Sequence, residues 1–115
     1  MATLRIDGAP RISGTEIQFS DGQLRIGSMA GALKARDLRR DPRVAIHGPT
    51  NDPHKSGSWR GEAKIAGRAL QLPDEDGAHQ FRIDIHEAVI TRLGGKGLTI
   101  ESWAPGRGYR SRDRA

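Results

Sequence analysis

Hydrophobic and polar positions alternate along most of this chain, and the alternation lays out strands. Ala2, Leu4 and Ile6 alternate with Thr3 and Arg5 up to Asp7-Gly8, so a first strand and hairpin are predicted at the start. A second strand, Arg11 to Ser20, changes phase: Ile12 is at an even position, Ile17 and Phe19 at odd ones, and Gly14 lies between. A bulge or bend at Gly14 would return all three to one side. Asp21-Gly22 predicts a tight hairpin, and Gln23 to Ser28 then sets Leu24 and Ile26 against Gln23, Arg25 and Gly27 as a third strand. Residues 32–40, ALKARDLRR, are rich in helix formers and stop at Asp41-Pro42, which predicts a helix of about nine residues. Arg43 to His47 reads as strand four.

Gly48 to Ser58 is a loop by its prolines, glycines, Asn and Asp, either a lid or a plain connection. Strand five, Trp59 to Leu72, shifts phase at Gly67, as strands do where a sheet curls. A polar connection, Pro73 to Gln80, leads to strand six, Phe81 to Leu93, and a glycine turn leads to strand seven, Leu98 to Trp103. About seven strands and one short crossover helix predict a mainly β fold, a small barrel. An immunoglobulin-like sandwich is the alternative, without its usual Cys-Trp-Cys pattern.

Composition narrows the function classes. The 115 residues fit one domain, and 35% hydrophobic content with 15 glycines and five aromatics suggests a core completed by a second copy. Zero cysteines exclude disulfides, thiolate metal sites and thiol redox chemistry, so a redox role needs a bound cofactor. No apolar run is long enough for a membrane span or secretory leader, and a cytoplasmic protein is expected. Lys and Arg outnumber Asp and Glu by 19 to 14, a net charge of +5 that favours anionic partners. Part of the excess lies in GRGYRSRDRA, read as a basic flexible tail over 107–115 beyond a domain of residues 1–106.

Candidate chemistry is sparse. The last residues of strand three and the helix start converge with Lys34 one turn in, and such a terminus attracts anions. The alternative is that Lys34, Arg36, Arg39 and Arg40 are a solvated face. Asp84, His86 and Glu87 are the tightest cluster of metal-ligand types, but on a strand Glu87 opposes the other two, so a surface ion-pair ladder is the better reading and no metal is expected. The serines form no nucleophile motif, no phosphate-loop sequence occurs, and no catalytic residue can be named. Trp59, Trp103 and Tyr109 are not interleaved with basic residues on one strand face, so nucleic acid is not the expected partner.

Taken together and in order, TLRIDGAPRISG (3–14), DGQLRIG (21–27), KARDLRRDPRVAIH (34–47), GEAKIAGRA (61–69), FRIDIHEAV (81–89) and ESWAPGRG (101–108) resemble the pyridoxamine 5′-phosphate oxidase-like proteins of actinobacterial type. The resemblance implies an FMN-binding split β-barrel, a homodimer with FMN or a deazaflavin in a shared cleft, and hydride transfer to a small molecule. By position, Arg11 and Ser13 would face the cofactor from strand two, Ser28 would close strand three and Lys34 would meet the phosphate. Trp103 and Arg107 would resemble the C-terminal residues near the ring. The family's Ser-Arg-Lys at the helix start reads Ala32, Leu33, Lys34 here, which implies weak cofactor binding. The alternative is a cofactor-poor relative that binds an anion or acts as an interaction module.

Overall fold

The computed structural model describes residues 1–49, 61–94 and 97–114. Its elements are β1 (Ala2–Leu4), β2 (Pro10–Ile12), β3 (Ile17–Ser20), β4 (Gln23–Ser28), α1 (Leu33–Arg40), β5 (Arg43–His47), β6 (Glu62–Glu75), β7 (Ala78–Gly94), β8 (Gly97–Ala104) and β9 (Gly108–Arg114). The strands pair in the order β2-β1-β5-β6-β7-β4-β3, with β8 on β7 and β9 on β8. The sheet is not closed; β2 and β3 end the main path. The mainly β class with one crossover helix, expected from the sequence, is what the structure has. No helix among the described residues is long and apolar enough to cross a membrane.

The chain divides into two compact units, residues 1–45 with 67–84, and residues 46–66 with 85–115. In the first, Leu24 and Ile26 of β4 are buried as their alternation requires, together with Ala35, Leu38, Val44, Ala69, Phe81 and Ile83. In the second, Ile46 is the fully buried hydrophobic residue among those described, and Leu93, Trp103 and Tyr109 stay partly or largely exposed.

The turns follow from local chemistry. Asp21 and Gly22 both take positive φ, 53° and 73°, which suits a two-residue hairpin with Ser20 opposite Gln23. Asp76 and Gly77 repeat this at 50° and 79°, carrying β6 past Pro73 to Glu75 and starting β7 at Ala78. Pro73 to Gln80 is thus not the connection expected from its polar sequence; the second Asp-Gly pair is what extends the strands. α1 buries Ala35 and Leu38, three apart on one face. It ends where expected: Asp41, ahead of Pro42, is extended at φ −140°, ψ 109°.

Two further sequence expectations change. The single strand over Arg11 to Ser20 is two strands, because β2 pairs with β1 and β3 with β4, at opposite ends of the order. Ile12 and Phe19 consequently lie on edges, 87% and 77% exposed. Residues 108–114, set apart as tail, form β9 with Ile100 opposite Arg112 and Trp103 opposite Tyr109. Most of the loop from Gly48 to Ser58 lies outside the described residues.

Candidate cofactor site

A cavity of about 570 Å³ opens in the first unit where the β2–β3 connection, the end of β4, the first turn of α1 and the start of β7 meet. Gly14, Thr15, Glu16, Ser28, Lys34 and Gln80 are among its walls. β4 brings Ser28 there because its alternation, once Leu24 and Ile26 face inward, buries Ser28 as well. The chain then turns through Gly31, at φ 76°, into α1.

Polar groups in this cavity are incompletely used. Lys34 Nζ donates to the Gly14 carbonyl at 2.8 Å, a neutral acceptor. Among the described residues Ser28 Oγ reaches the Met29 carbonyl alone, at 3.5 Å, a poor hydrogen bond. Thr15 Oγ1 is buried with no partner among the described residues, which costs about 1–3 kcal/mol unless something else satisfies it. The N-terminus of α1 has no side-chain cap and no acidic residue in its first turn. Its free N–H groups keep their preference for an anion. Glu16 is the opposing charge. Gly27 approaches Gln80 so closely that a Cβ there would meet the Gln80 amide at 3.3 Å.

Arg11 lies elsewhere. Its Nε donates to Asp37 Oδ2 at 2.7 Å, Thr3 Oγ1 donates to the same oxygen at 2.7 Å, and Arg40 donates to Oδ1 at 3.0 Å. Asp37 is buried, with 2% exposure. Burial pushes its carboxyl up, but the hydrogen bonds from Arg11, Thr3 and Arg40 outweigh burial and hold it below the ordinary value. This network ties α1 to β1 and β2, and Arg11 lines a smaller cavity of about 290 Å³ with Leu33 and Arg36. Just past the helix, Arg43 bonds hold the partly exposed Asp41 carboxyl down to about 2.

Of the residues named from sequence, Ser28 and Lys34 share the cavity. Ser13 is held by its backbone, exchanging hydrogen bonds with Met1 at 2.8 Å. Trp103 and Arg107 belong to the second unit: Trp103 pairs with Ala88 and Tyr109, and Arg107 donates to Ser102 Oγ at 3.1 Å. Thr15 and Gln80 were not anticipated; the break at Gly14 was the available sign for Thr15, and Gln80 has none. No cluster of three or more His, Asp or Glu that could hold a metal occurs among the described residues.

The family model described as pyridoxamine 5′-phosphate oxidase matches residues 1–107. Among solved structures, PhzG from Burkholderia lata 383, in complex with tetrahydrophenazine-1-carboxylic acid, is 11% identical with a TM-score of 0.72, covering 96% of this chain and 78% of its own. Another solved chain is 18% identical with a TM-score of 0.65, covering 81% and 76%. At these identities the likeness is one of fold. None of the curated proteins matches.

Proposed function

The chain belongs to the pyridoxamine 5′-phosphate oxidase family, and from that premise we propose that it is an oxidoreductase that binds FMN or a deazaflavin and acts on a small molecule. The observation that carries this reading is the cavity where Lys34 settles for a backbone carbonyl and Thr15 Oγ1 has no partner among the described residues. A phosphate there would give Lys34 a charged acceptor and Thr15, Ser28 and the first N–H groups of α1 an oxygen to donate to. When bound, the cofactor would supply hydride transfer. This chain's residues would hold and orient it.

The fit is partial, and it favours weak binding. Lysine acts as a point charge and cannot replace a guanidinium's paired donors. Arg11 is committed to Asp37, and the side chains of Ala32 and Leu33 offer no hydrogen bond. The missing arginine contact is worth about 1.5–3 kcal/mol, a loss of roughly ten- to a hundredfold in affinity. Within this reading Arg11 and Ser13 support the site's walls, and Trp103 and Arg107 would act from a second copy. A homodimer is part of the proposal, supported by exposed Ile6, Ile12 and Phe19 in one unit and Leu93 and Tyr109 in the other. The network on Arg11 also favours a second reading, an anion-binding relative without catalysis.

The test is the visible absorbance of freshly purified protein, followed by titration with FMN and with a deazaflavin cofactor. The proposal expects nearly colourless protein that takes up one of the two saturably. Stoichiometric yellow protein would overturn weak binding, and no uptake of either would leave the non-catalytic reading.

A further inference from the structure

One histidine of the first unit faces more partners than its ring can serve. His79 lies near the start of β7, opposite Ser28 of β4. It shares the β7 face of Phe81 and Ile83, while Ala78 and Gln80, on the other face, line the cavity. Its side chain is only 12% exposed. From α1, Arg39 Nη2 stands 2.6 Å from Nδ1 and 3.5 Å from Nε2. From β6, Asp74 Oδ1 stands 3.2 Å from Nδ1. From the turn between β4 and α1, the Gly31 N–H reaches Nε2 at 3.5 Å, a long contact. Arg39 and Asp74 are the charged groups against the ring among the described residues.

Donor and acceptor roles decide which contacts hold together. Arginine and a backbone N–H only donate, a carboxylate only accepts, and a neutral imidazole has one N–H and one bare nitrogen. With the proton on Nδ1, Asp74 and Gly31 are both served. Arg39 then has a second acceptor, since the Gln71 amide, turned so that its oxygen faces the guanidinium, takes Nε and Nη2 at 3.3 Å each. With the proton on Nε2, Arg39 alone is served, Asp74 faces a lone pair, and two N–H groups oppose each other at Gly31. We infer that His79 is a positioning residue and a pH-sensitive latch: its neutral ring, protonated on Nδ1 toward Asp74, accepts the Gly31 N–H and holds the turn that opens α1. A glycine at φ 76° has the conformational freedom that makes an outside hold matter. A second proton on the ring puts a donor where the acceptor was and releases Gly31, while Asp74 counters the added charge. The consequence for the cofactor rests on the proposed function, which gives the first N–H groups of α1 to a phosphate: a held turn keeps them aimed, and a released one weakens binding.

Hydrogen exchange at the Gly31 amide, followed by NMR on the full chain between about pH 5 and 8, tests the latch without any cofactor. Corrected for its intrinsic pH dependence, exchange in the unmodified protein should quicken about three- to tenfold as the ring protonates. His79→Gln, whose amide oxygen can stand in for Nε2, should stay slow at every pH, and His79→Leu should stay fast. FMN affinity, read by fluorescence quenching, should be about three- to tenfold lower in His79→Leu than in His79→Gln. The unmodified protein should match His79→Gln at the alkaline end and fall toward His79→Leu at the acid end, a crossing that the phosphate's own titration cannot produce because all three proteins share it. Gly31 exchange that is alike in the three proteins, or that ignores the ring's protonation, would overturn the inference. Gly31 exchange as expected, with FMN affinity equal in all three, would overturn the proposed place of the phosphate and leave the latch standing.

Discussion

Asp37 and Lys34 lie one turn apart on α1, and their surroundings are opposite. Asp37 is buried and saturated, with Thr3, Arg11 and Arg40 closing on its two oxygens. Lys34 is half-buried and holds one neutral carbonyl, in a cavity it shares with a buried hydroxyl that has no partner among the described residues. A buried charge that finds all its partners within the chain is part of the framework, because removing any partner leaves an uncompensated charge. A charged group beside unsatisfied donors is ready for something from outside. The contrast puts Arg11 in the framework and leaves Lys34 as the residue that the proposed function gives to the ligand.

Breaking the framework side should produce the largest effect. Asp37→Ala leaves Arg11 and Arg40 facing each other without their anion and should lower unfolding free energy by about 3 kcal/mol in urea denaturation. Lys34→Ala, which removes one hydrogen bond to a neutral carbonyl from a half-buried side chain, should cost less than about 1.5 kcal/mol in the same measurement. If the two variants were equally destabilised, the division between framework and ligand side would fail.

Repairing the ligand side comes next. Ala32→Ser combined with Leu33→Arg should raise FMN affinity by about one decade or more, measured by flavin fluorescence quenching, since each added donor restores a charge-assisted contact. Unchanged affinity would mean that these positions do not face the phosphate.

Acid titration sharpens the comparison further. Because the folded Asp37 carboxyl is held below its ordinary value, its contribution is fully present above the unfolded value of about 3.9. That contribution is lost as pH falls through the lower, folded value, since the unfolded state takes up the proton first. Urea midpoints between neutral pH and pH 3 should therefore fall more steeply for the unmodified protein than for Asp37→Asn.

The smallest effect is at Thr15. Thr15→Val removes a buried hydroxyl that has no partner, so stability should hold or rise slightly, while FMN affinity drops by about 0.5–1.5 kcal/mol if the hydroxyl meets the phosphate. A stability loss above about 1 kcal/mol would show that the hydroxyl is already satisfied.

What could be read from the sequence was local. β4 and β5 were legible residue for residue because Leu24 and Ile26, then Val44 and Ile46, alternate against polar neighbours, and Pro42 fixed the end of α1. Lys34 was legible because its place one turn into a helix is a matter of spacing. What stayed hidden depends on distance or on contrast. Nothing along the chain says that Arg11 meets Asp37, 26 residues away, so the arginine was carried to the cofactor by resemblance. β9 was hidden because Arg, Ser and Asp alternate there without an apolar side chain to mark an inner face. The split of β2 from β3 was half visible: the phase change at Gly14 announced a break, but only pairing partners distinguish a bend from two strands.

The most direct measurement is an FMN titration of the purified protein beside Lys34→Ala, followed by fluorescence quenching, with urea midpoints recorded for both. The account predicts saturable binding at about micromolar affinity or weaker, reduced about tenfold or more in Lys34→Ala while the midpoint stays put. Identical binding curves for the two proteins would contradict it.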